Sequence, residues 1–141
     1  MPIATLGAVV LDCPDPVALA RFYAALIGGT VEDDGGRWVD LTGAPGTPLA
    51  FQAAPGFVPP QWPRPDGSQQ VHLDLTVEDL DAAEREVLAL GARPLDTEDR
   101  KRSFRVYADR PGIRSVSAPA EACRHGGAPD NGGDHGVPWT G

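Results

Sequence analysis

The sequence is poor in the features that mark secreted, membrane-spanning and nucleic-acid-binding proteins. Its 141 residues include two cysteines, and the apolar run near the N-terminus is broken by Asp12 and Pro14, far short of a membrane span or a signal core. Basic residues are also scarce, 12 against 20 acidic ones, and the resulting net charge of -8 repels phosphate backbones and anionic lipids. We therefore expect a cytoplasmic protein with no nucleic-acid or membrane partner, in which Cys13 and Cys123 are free thiols.

The length and composition suit one compact domain. Aromatic residues make up 6% of the chain and hydrophobic residues 41%. We place the domain at residues 1–120. Residues 110–141 contain no leucine or phenylalanine, and 121–141 is dense in glycine and proline. A segment so poor in core-forming residues cannot offset the entropy of folding, so we expect 121–141 to be disordered.

The stretch 71–91, VHLDLTVEDLDAAEREVLALG, reads as a strand followed directly by a helix. Apolar and polar residues alternate in its first part, so Leu73 is expected to face the core and His72 the opposite side. Asp79 stands where a helix N-cap belongs. Apolar residues then recur at helical spacing until Gly91, which is typical of a helix end.

The first half of the chain predicts the same order of elements. A strand at 6–12 precedes a helix capped by Asp15, and strands at 30–32, 37–41 and 48–53 follow, separated by turn-forming segments. In the second half, strands are expected at 93–95, 103–108 and 113–117. The two caps give 79 − 15 = 64, and this offset also pairs the apolar positions of the helices. We therefore predict an α+β fold of two βαβββ modules, at 5–55 and 70–120, joined by a crossing loop at 54–69.

Several motifs resemble the vicinal oxygen chelate superfamily, and more closely its glyoxalase-like, bleomycin-resistance-related domain proteins. They are PDPVALARFYAALIGG, RWVDLTG, PLAFQ, the WP loop, QQVHLDLTVEDLDAA, LGARPLD and SFRVYAD, and the likeness covers about residues 5–109. The resemblance implies that the modules are related by a pseudo-two-fold and form a cup-shaped, mostly antiparallel sheet. It also implies four symmetric positions in the cup where metal-dependent members place His, Gln or Glu.

Carried onto this sequence, the four ligand positions fall on Ala8, Gln52, His72 and Val116, with the offset of 64 relating them in pairs. Alanine and valine have no metal-binding group, which leaves His72 and Gln52. Divalent cations in catalytic sites usually need at least three protein ligands. We therefore expect no metal cofactor.

Strand alternation predicts which residues line the concave face with His72. They are Val10, Trp38, Asp40, Ala50, Gln52, Asp74, Arg105 and Tyr107, opposite Val39, Leu41, Phe51, Leu73, Phe104 and Val106. On this face His72 is the candidate general base, with Asp74 as the partner that would fix its tautomer. We predict substrate contacts for Trp38, Gln52, Asp74, Arg105 and Tyr107, Arg105 being suited to a carboxylate or other anion.

The resemblance ends after Asp109, where relatives would read ADPAGHPFCL and this chain reads ADRPGIRSVSAPA. Deleting one C from a codon string for DPAGHPFCLC yields DRPGIRSVS, which is the sequence from 109 to 117. We hypothesise that residues 110–141 are a frameshifted C-terminus. Sequencing the gene tests this, because the alternate frame must restore HPFCL.

The functional expectation is a protein that binds a small organic molecule. One hypothesis is a glyoxalase-like lyase or isomerase without the full metal-ligand set, or a degenerate form that now only binds. The alternative is a non-catalytic, antibiotic-sequestering protein of the bleomycin-resistance kind, which works as a homodimer with clefts at the subunit contact. A third hypothesis is a damaged product whose cup is incompletely closed.

Overall fold

A computed structural model of the protein describes residues 2–61, 71–95, 105–109 and 114–119. Two helices and eight strands lie within these ranges. In chain order they are β1 (Val9–Cys13), α1 (Pro16–Ile27), β2 (Thr30–Asp34), β3 (Trp38–Thr42), β4 (Leu49–Ala53), β5 (Leu73–Val77), α2 (Leu80–Ala89), β6 (Arg93–Pro94), β7 (Arg105–Ala108) and β8 (Arg114–Pro119).

The strands form two four-stranded sheets of equivalent topology. The first sheet has the order β1-β4-β3-β2 and the second the order β5-β8-β7-β6. Strand β1 pairs with β4 in parallel, and β5 pairs with β8 in parallel; the other pairings are antiparallel. The predicted α+β fold with a mostly antiparallel sheet is therefore confirmed. The pseudo-two-fold and the cup shape stay predictions.

Strand β1 begins later than predicted, at Val9 rather than residue 6. The backbone N–H of Val9 donates to the carbonyl of Pro48 at 2.9 Å, and the ladder to β4 starts at Leu49. Residues before Val9 have no neighbouring strand to pair with in the described chain. Leu6 is accordingly 69% exposed, because hydrophobicity alone does not make a strand without a partner.

Helix α1 has the local chemistry of a well-defined helix. Asp15 has extended backbone angles, and its carboxylate accepts a hydrogen bond from the N–H of Ala18 at 3.1 Å. Pro16 stands in the first turn, where its missing N–H costs nothing. Gly28, with a φ of 81°, ends the helix in a conformation that L-residues with a side chain rarely adopt.

The core of the first half lies between α1 and the sheet. Val39, Leu41 and Phe51 point to the helix side of the sheet and are at most 2% exposed. The ring of Tyr23 on α1 stacks on Phe51, with centroids 5.8 Å apart. These contacts bury large apolar surfaces, the main favourable contribution to folding.

Helix α2 is attached to its sheet with much less apolar burial. Asp79 caps it by accepting from the N–H of Ala82 at 2.9 Å, as the sequence predicts. Val87 is its one buried residue, whereas α1 buries five. Hydrophobic packing therefore holds α2 less strongly than α1.

A buried hydrogen bond links the two halves. The hydroxyl of Tyr23 on α1 donates to the carboxylate of Asp109, just after β7, at 2.8 Å. Tyr23 is 0% and Asp109 1% exposed. A carboxylate so far from water needs such donors, so this bond fixes the end of β7 against α1.

Some predicted segments lie outside the described residues. They are 62–69 of the crossing loop, the polar turn at 97–102, residues 103–104 and the tail 121–141. The limits proposed for the domain and modules stay predictions. In the described part of the chain, neither helix has the length and hydrophobicity needed to cross a membrane.

Candidate functional site

The face of the first sheet that points away from α1 carries two rows of side chains. The strand registers place Asp12, Gln52, Trp38 and Asp34 in one row, and Val10, Ala50, Asp40 and Glu32 in the next. Trp38 and Gln52, both predicted site residues, are direct cross-strand neighbours. The indole N–H of Trp38 donates to the carboxylate of Asp40 at 3.1 Å, which orients the half-buried ring. We call these two rows the first-sheet face.

His72 and Asp74 lie together at the start of the second sheet. The Nε2 atom of His72 is 3.5 Å from Oδ1 of Asp74, and their side chains are 30% and 55% exposed. The imidazole is thus accessible and has a carboxylate beside it, as strand alternation predicts. Such a pair can orient an imidazole and stabilise it when it takes up a proton.

The prediction that Arg105 and Tyr107 share this face is wrong. Asp74 is in register with Val116 of β8, and Val116 with Val106 of β7, so Val106 lies on the side of Asp74. Arg105 and Tyr107 alternate with Val106 and therefore point to the other side, toward α2. Val106, which lies between them, makes the pattern misleading, because an apolar side chain ordinarily marks the side of a strand that faces the core.

Arg105 instead holds α2 through three acceptors. Its Nη1 atom donates to Oε2 of Glu84 at 2.5 Å and to the carbonyl of Leu80 at 3.2 Å, and its Nη2 atom donates to Oδ1 of Asp81 at 2.6 Å. The hydroxyl of Tyr107 also donates to Oε2 of Glu84, at 3.0 Å. We call Arg105, Tyr107, Asp81 and Glu84 the α2 network.

The electrostatics of the α2 network agree with its geometry. The side chains of Arg105 and Glu84 are 12% and 17% exposed. The hydrogen bond to Asp81, with the charge of Glu84, raises the pKa of Arg105 above its ordinary value. Both terminal nitrogens of the guanidinium are therefore bound within the protein, whereas its buried Nε atom has no hydrogen-bond partner in the described chain. The group that was expected to bind an anionic substrate does not lie on the side of the second sheet that carries His72 and Asp74.

The internal repeat contains the signal that identifies this arrangement. The offset of 64 gives 105 − 64 = 41, and Leu41 faces α1 in the first half. At β7 the strand registers give an offset of 66 instead, because Tyr107 pairs with Ser115 in the second sheet as Leu41 pairs with Leu49 in the first. Two additional residues therefore lie between α2 and β7. The offsets of 64 and 66 match Arg105 to Leu41 and to Val39, which are two residues apart and lie on the same side of their strand. Either offset therefore predicts that Arg105 faces the helix.

Tyr107 gives the second half a pH dependence. Burial raises the pKa of Tyr107 to about 12 from an ordinary 10.0, and the hydrogen bond to Glu84 adds to the shift. The protonated form is favoured in the fold, so its contribution is complete below pH 10 and is lost as the pH rises to about 12. We expect on the order of 2 kcal/mol to be lost in this range. Chemical denaturation of the wild type and of Tyr107→Phe at pH 10 and at about pH 12 measures this loss of stability. The variant has no phenol to ionise, so it should lack this part of the loss. An equal loss in both proteins would contradict the assignment.

The four ligand positions that the family resemblance implies do not hold a suitable donor set. Gln52 is in register with Asp12, and the corresponding pair in the second half is Thr76 and Ala118. Gln52 and Val116 are therefore not equivalent positions: the counterpart of Gln52 is Ala118, 118 − 52 = 66 residues on, and the counterpart of Val116 is Ala50. Alanine supplies no ligand, so His72 and Gln52 remain, which does not fit a divalent cation. Across the described ranges, no three His, Cys, Asp or Glu side chains group to hold a metal. That the protein uses no metal stays a prediction.

Cys13 is not suited to nucleophilic chemistry. It is a free thiol, 0% exposed, with its Sγ atom 3.7 Å from the carbonyl oxygen of Gln52. Burial raises the pKa of Cys13 to about 11, and the charges of Asp15, Asp109 and Asp12 add to this. Because the thiolate is the reactive form, Cys13 is a packing residue.

Comparison with known proteins gives one family and many structures of one fold. A family model described as a glyoxalase-like domain matches residues 8–114. A mutant of the fosfomycin resistance protein FosX from Listeria monocytogenes, solved with Mn(II) and 1S,2S-dihydroxypropylphosphonic acid, has 12% identity and a TM-score of 0.60, covering 83% of this chain and 90% of its own.

Two further structures show the same likeness. A glyoxalase/bleomycin resistance/dioxygenase family enzyme from Burkholderia phytofirmans PsJN has 18% identity and a TM-score of 0.58, with 82% of this chain and 99% of that chain covered. A hypothetical protein from S. aureus has 15% identity and a TM-score of 0.59, with 84% and 94% covered. No curated protein is similar enough to the chain to count as a match. At these identities the structures establish the fold.

Proposed function

This chain belongs to the glyoxalase-like domain family, and from that premise we propose that it binds a small organic molecule on the sheet faces that point away from its helices. Within that site His72, assisted by Asp74, is the proton-accepting group. Trp38, Gln52 and Asp74 contact the ligand. Arg105 and Tyr107 do not contact the ligand; they hold α2 against the opposite side of the second sheet.

The pairing of His72 with Asp74 is the observation that supports this proposal most strongly. The two side chains are 3.5 Å apart and accessible, on the side of the second sheet opposite to Arg105 and α2. An accessible imidazole beside a carboxylate is a common general base, and it needs no metal to take a proton from carbon or oxygen. This chemistry suits a lyase or isomerase.

A ligand screen followed by two variants tests the proposed function. Thermal-shift measurements on metabolites and antibiotics identify a compound that binds the wild-type protein. We expect His72→Ala to lower the turnover of that compound about 100-fold or more, the usual contribution of a general base. Asp74→Asn should give a smaller loss. Arg85→Ala, which removes an exposed α2 side chain, is the control and should leave turnover unchanged.

The outcomes separate the two functional hypotheses. Tight binding of an antibiotic without turnover, unaffected by His72→Ala, would replace the catalytic proposal by sequestration. If sequestration is by a homodimer with clefts at the subunit contact, the protein will sediment as a dimer. If no compound of any class shifts the melting temperature, small-molecule binding itself is contradicted.

A further inference from the structure

We infer that α2 opens away from the second sheet as a separate unit, while the sheet beneath it and the first half of the protein stay folded. The opening uncovers the helix side of β5, the strand that contains Asp74 and that His72 directly precedes. It therefore removes the layer behind one half of the proposed site. The inference does not depend on the proposed function, because it concerns how α2 is attached and not what the site binds.

The apolar contact between α2 and the second sheet is small. Val87 is the one residue of α2 that is buried, whereas α1 buries five of its residues. Leu73, Leu75 and Val77 alternate with Asp74 and so lie on the α2 side of the sheet, but each of them is only half-buried. A segment with few buried apolar contacts opens at a lower free energy than the rest of a protein.

The equivalent layer of the first half is closed. Val39, Leu41 and Phe51 lie on the α1 side of their sheet and are at most 2% exposed. The ring of Tyr23 stacks on Phe51 from the helix. α1 cannot leave its sheet without exposing all of this apolar surface to water, which is the largest cost of unfolding. We therefore expect α1 to open only when the first half unfolds.

The polar attachment of α2 is concentrated at one end of the helix. Arg105 donates to the carbonyl of Leu80 and to the carboxylates of Asp81 and Glu84, and Tyr107 donates to Glu84. These three acceptors lie within the first five residues of α2, and both donors belong to β7. One movement of the helix therefore breaks these bonds together. Water then hydrates the separated groups, which offsets much of the lost energy.

The second sheet stays in place because β7 is anchored independently of α2. Asp109, directly after β7, accepts a hydrogen bond from Tyr23 of α1 at 2.8 Å, and both side chains are buried. In the sheet, β7 is also an interior strand, paired with β8 on one side and β6 on the other. Neither attachment involves α2, so the opening is limited to the helix.

Hydrogen exchange of the full chain under native conditions, resolved by peptide mass spectrometry, tests the inference. We expect the amides of α2 to exchange about tenfold or more faster than those of α1. Arg105→Met should raise the exchange of α2 about 100-fold. Tyr107→Phe, which removes one hydrogen bond to a carboxylate, should raise it about tenfold. Neither substitution should change the exchange of α1. Arg85→Met, at an exposed position of α2, is the control and should leave both helices unchanged.

Thiol labelling provides a second measurement that leaves the α2 network intact. In a Cys123→Ser background, Val87→Cys introduces a thiol at the buried contact of α2, and Cys13, 0% exposed, is the reference for the first half. With iodoacetamide, and relative to the rates in the unfolded protein, we expect the new thiol to react faster than Cys13.

Three outcomes would each overturn the inference. The first is equal exchange in α1 and α2, and the second is equal labelling of the two thiols. The third is an effect of Arg105→Met that is the same in α1 as in α2, because the helix would then open only together with the rest of the protein.

Discussion

Replacing Arg105 by methionine is expected to lower the free energy of unfolding by about 3 kcal/mol, the low end of the cost of removing one partner from a buried ion pair, because both side chains are partly exposed. The change leaves Glu84, whose side chain is 17% exposed, without the guanidinium that neutralises it. Methionine fills similar space, so the loss is mainly electrostatic. Chemical denaturation at neutral pH measures it.

The matched control is the same substitution on the surface of α2. Arg85 is exposed, and Arg85→Met should change stability by about 0.5 kcal/mol or less. Replacing Glu84 by leucine together with Arg105→Met should recover most of the loss, because the carboxylate that Arg105 neutralises is then absent as well. If Arg105→Met and Arg85→Met have equal effects, the α2 network does not hold the helix.

Tyr23→Phe is expected to cost about 1.5–3 kcal/mol, the usual contribution of a hydrogen bond to a charged group. The substitution removes one hydroxyl from a fully buried ring and leaves its stacking on Phe51 in place. Asp109 then loses a donor at 2.8 Å in a place that water does not reach. Thermal and chemical unfolding of the variant measure the loss.

A double-mutant cycle isolates this bond from other effects. The loss in Tyr23→Phe should largely disappear when it is made on an Asp109→Asn background, since the charged acceptor is then absent. Hydrogen exchange should also rise in both α1 and β7, the elements that the bond connects. Independent, additive effects of the two substitutions would show that Tyr23 and Asp109 are not coupled.

The two halves share an architecture but stabilise it differently. In the first half, Val39, Leu41 and Phe51 give α1 an apolar surface. In the second half, Arg105 and Tyr107 occupy the positions that match Val39 and Leu41, and α2 meets them with Asp81 and Glu84. The attachment of α2 in the second half therefore depends more on ionic and hydrogen-bonded contacts than the attachment of α1 in the first half does.

The helices could be predicted because their ends are set by neighbouring residues. Asp15 and Asp79 both cap a helix in the structure, and Gly28 ends the first one. These signals act within one turn of chain, so the sequence contains them in full. The order of elements followed from the same local patterns, repeated after 64 residues.

The face of β7 could not be predicted from its own residues. Apolar alternation assigns a strand's core side by assuming that the layer above it is apolar. α2 instead presents the carboxylates of Asp81 and Glu84 to the sheet, so the residue of β7 that faces the helix is a basic one, Arg105. The two additional residues before β7 likewise moved the position equivalent to Gln52 from Val116 to Ala118. Both errors concern contacts between segments that are distant in sequence.

The most direct test of the central claim is a crystal structure of the protein with the tightest-binding compound from the screen. We expect the compound to lie against Trp38 and within reach of His72, with the guanidinium of Arg105 still bound to Glu84. A compound bound to the guanidinium of Arg105 on the α2 side, with the first-sheet face bare, would contradict the account.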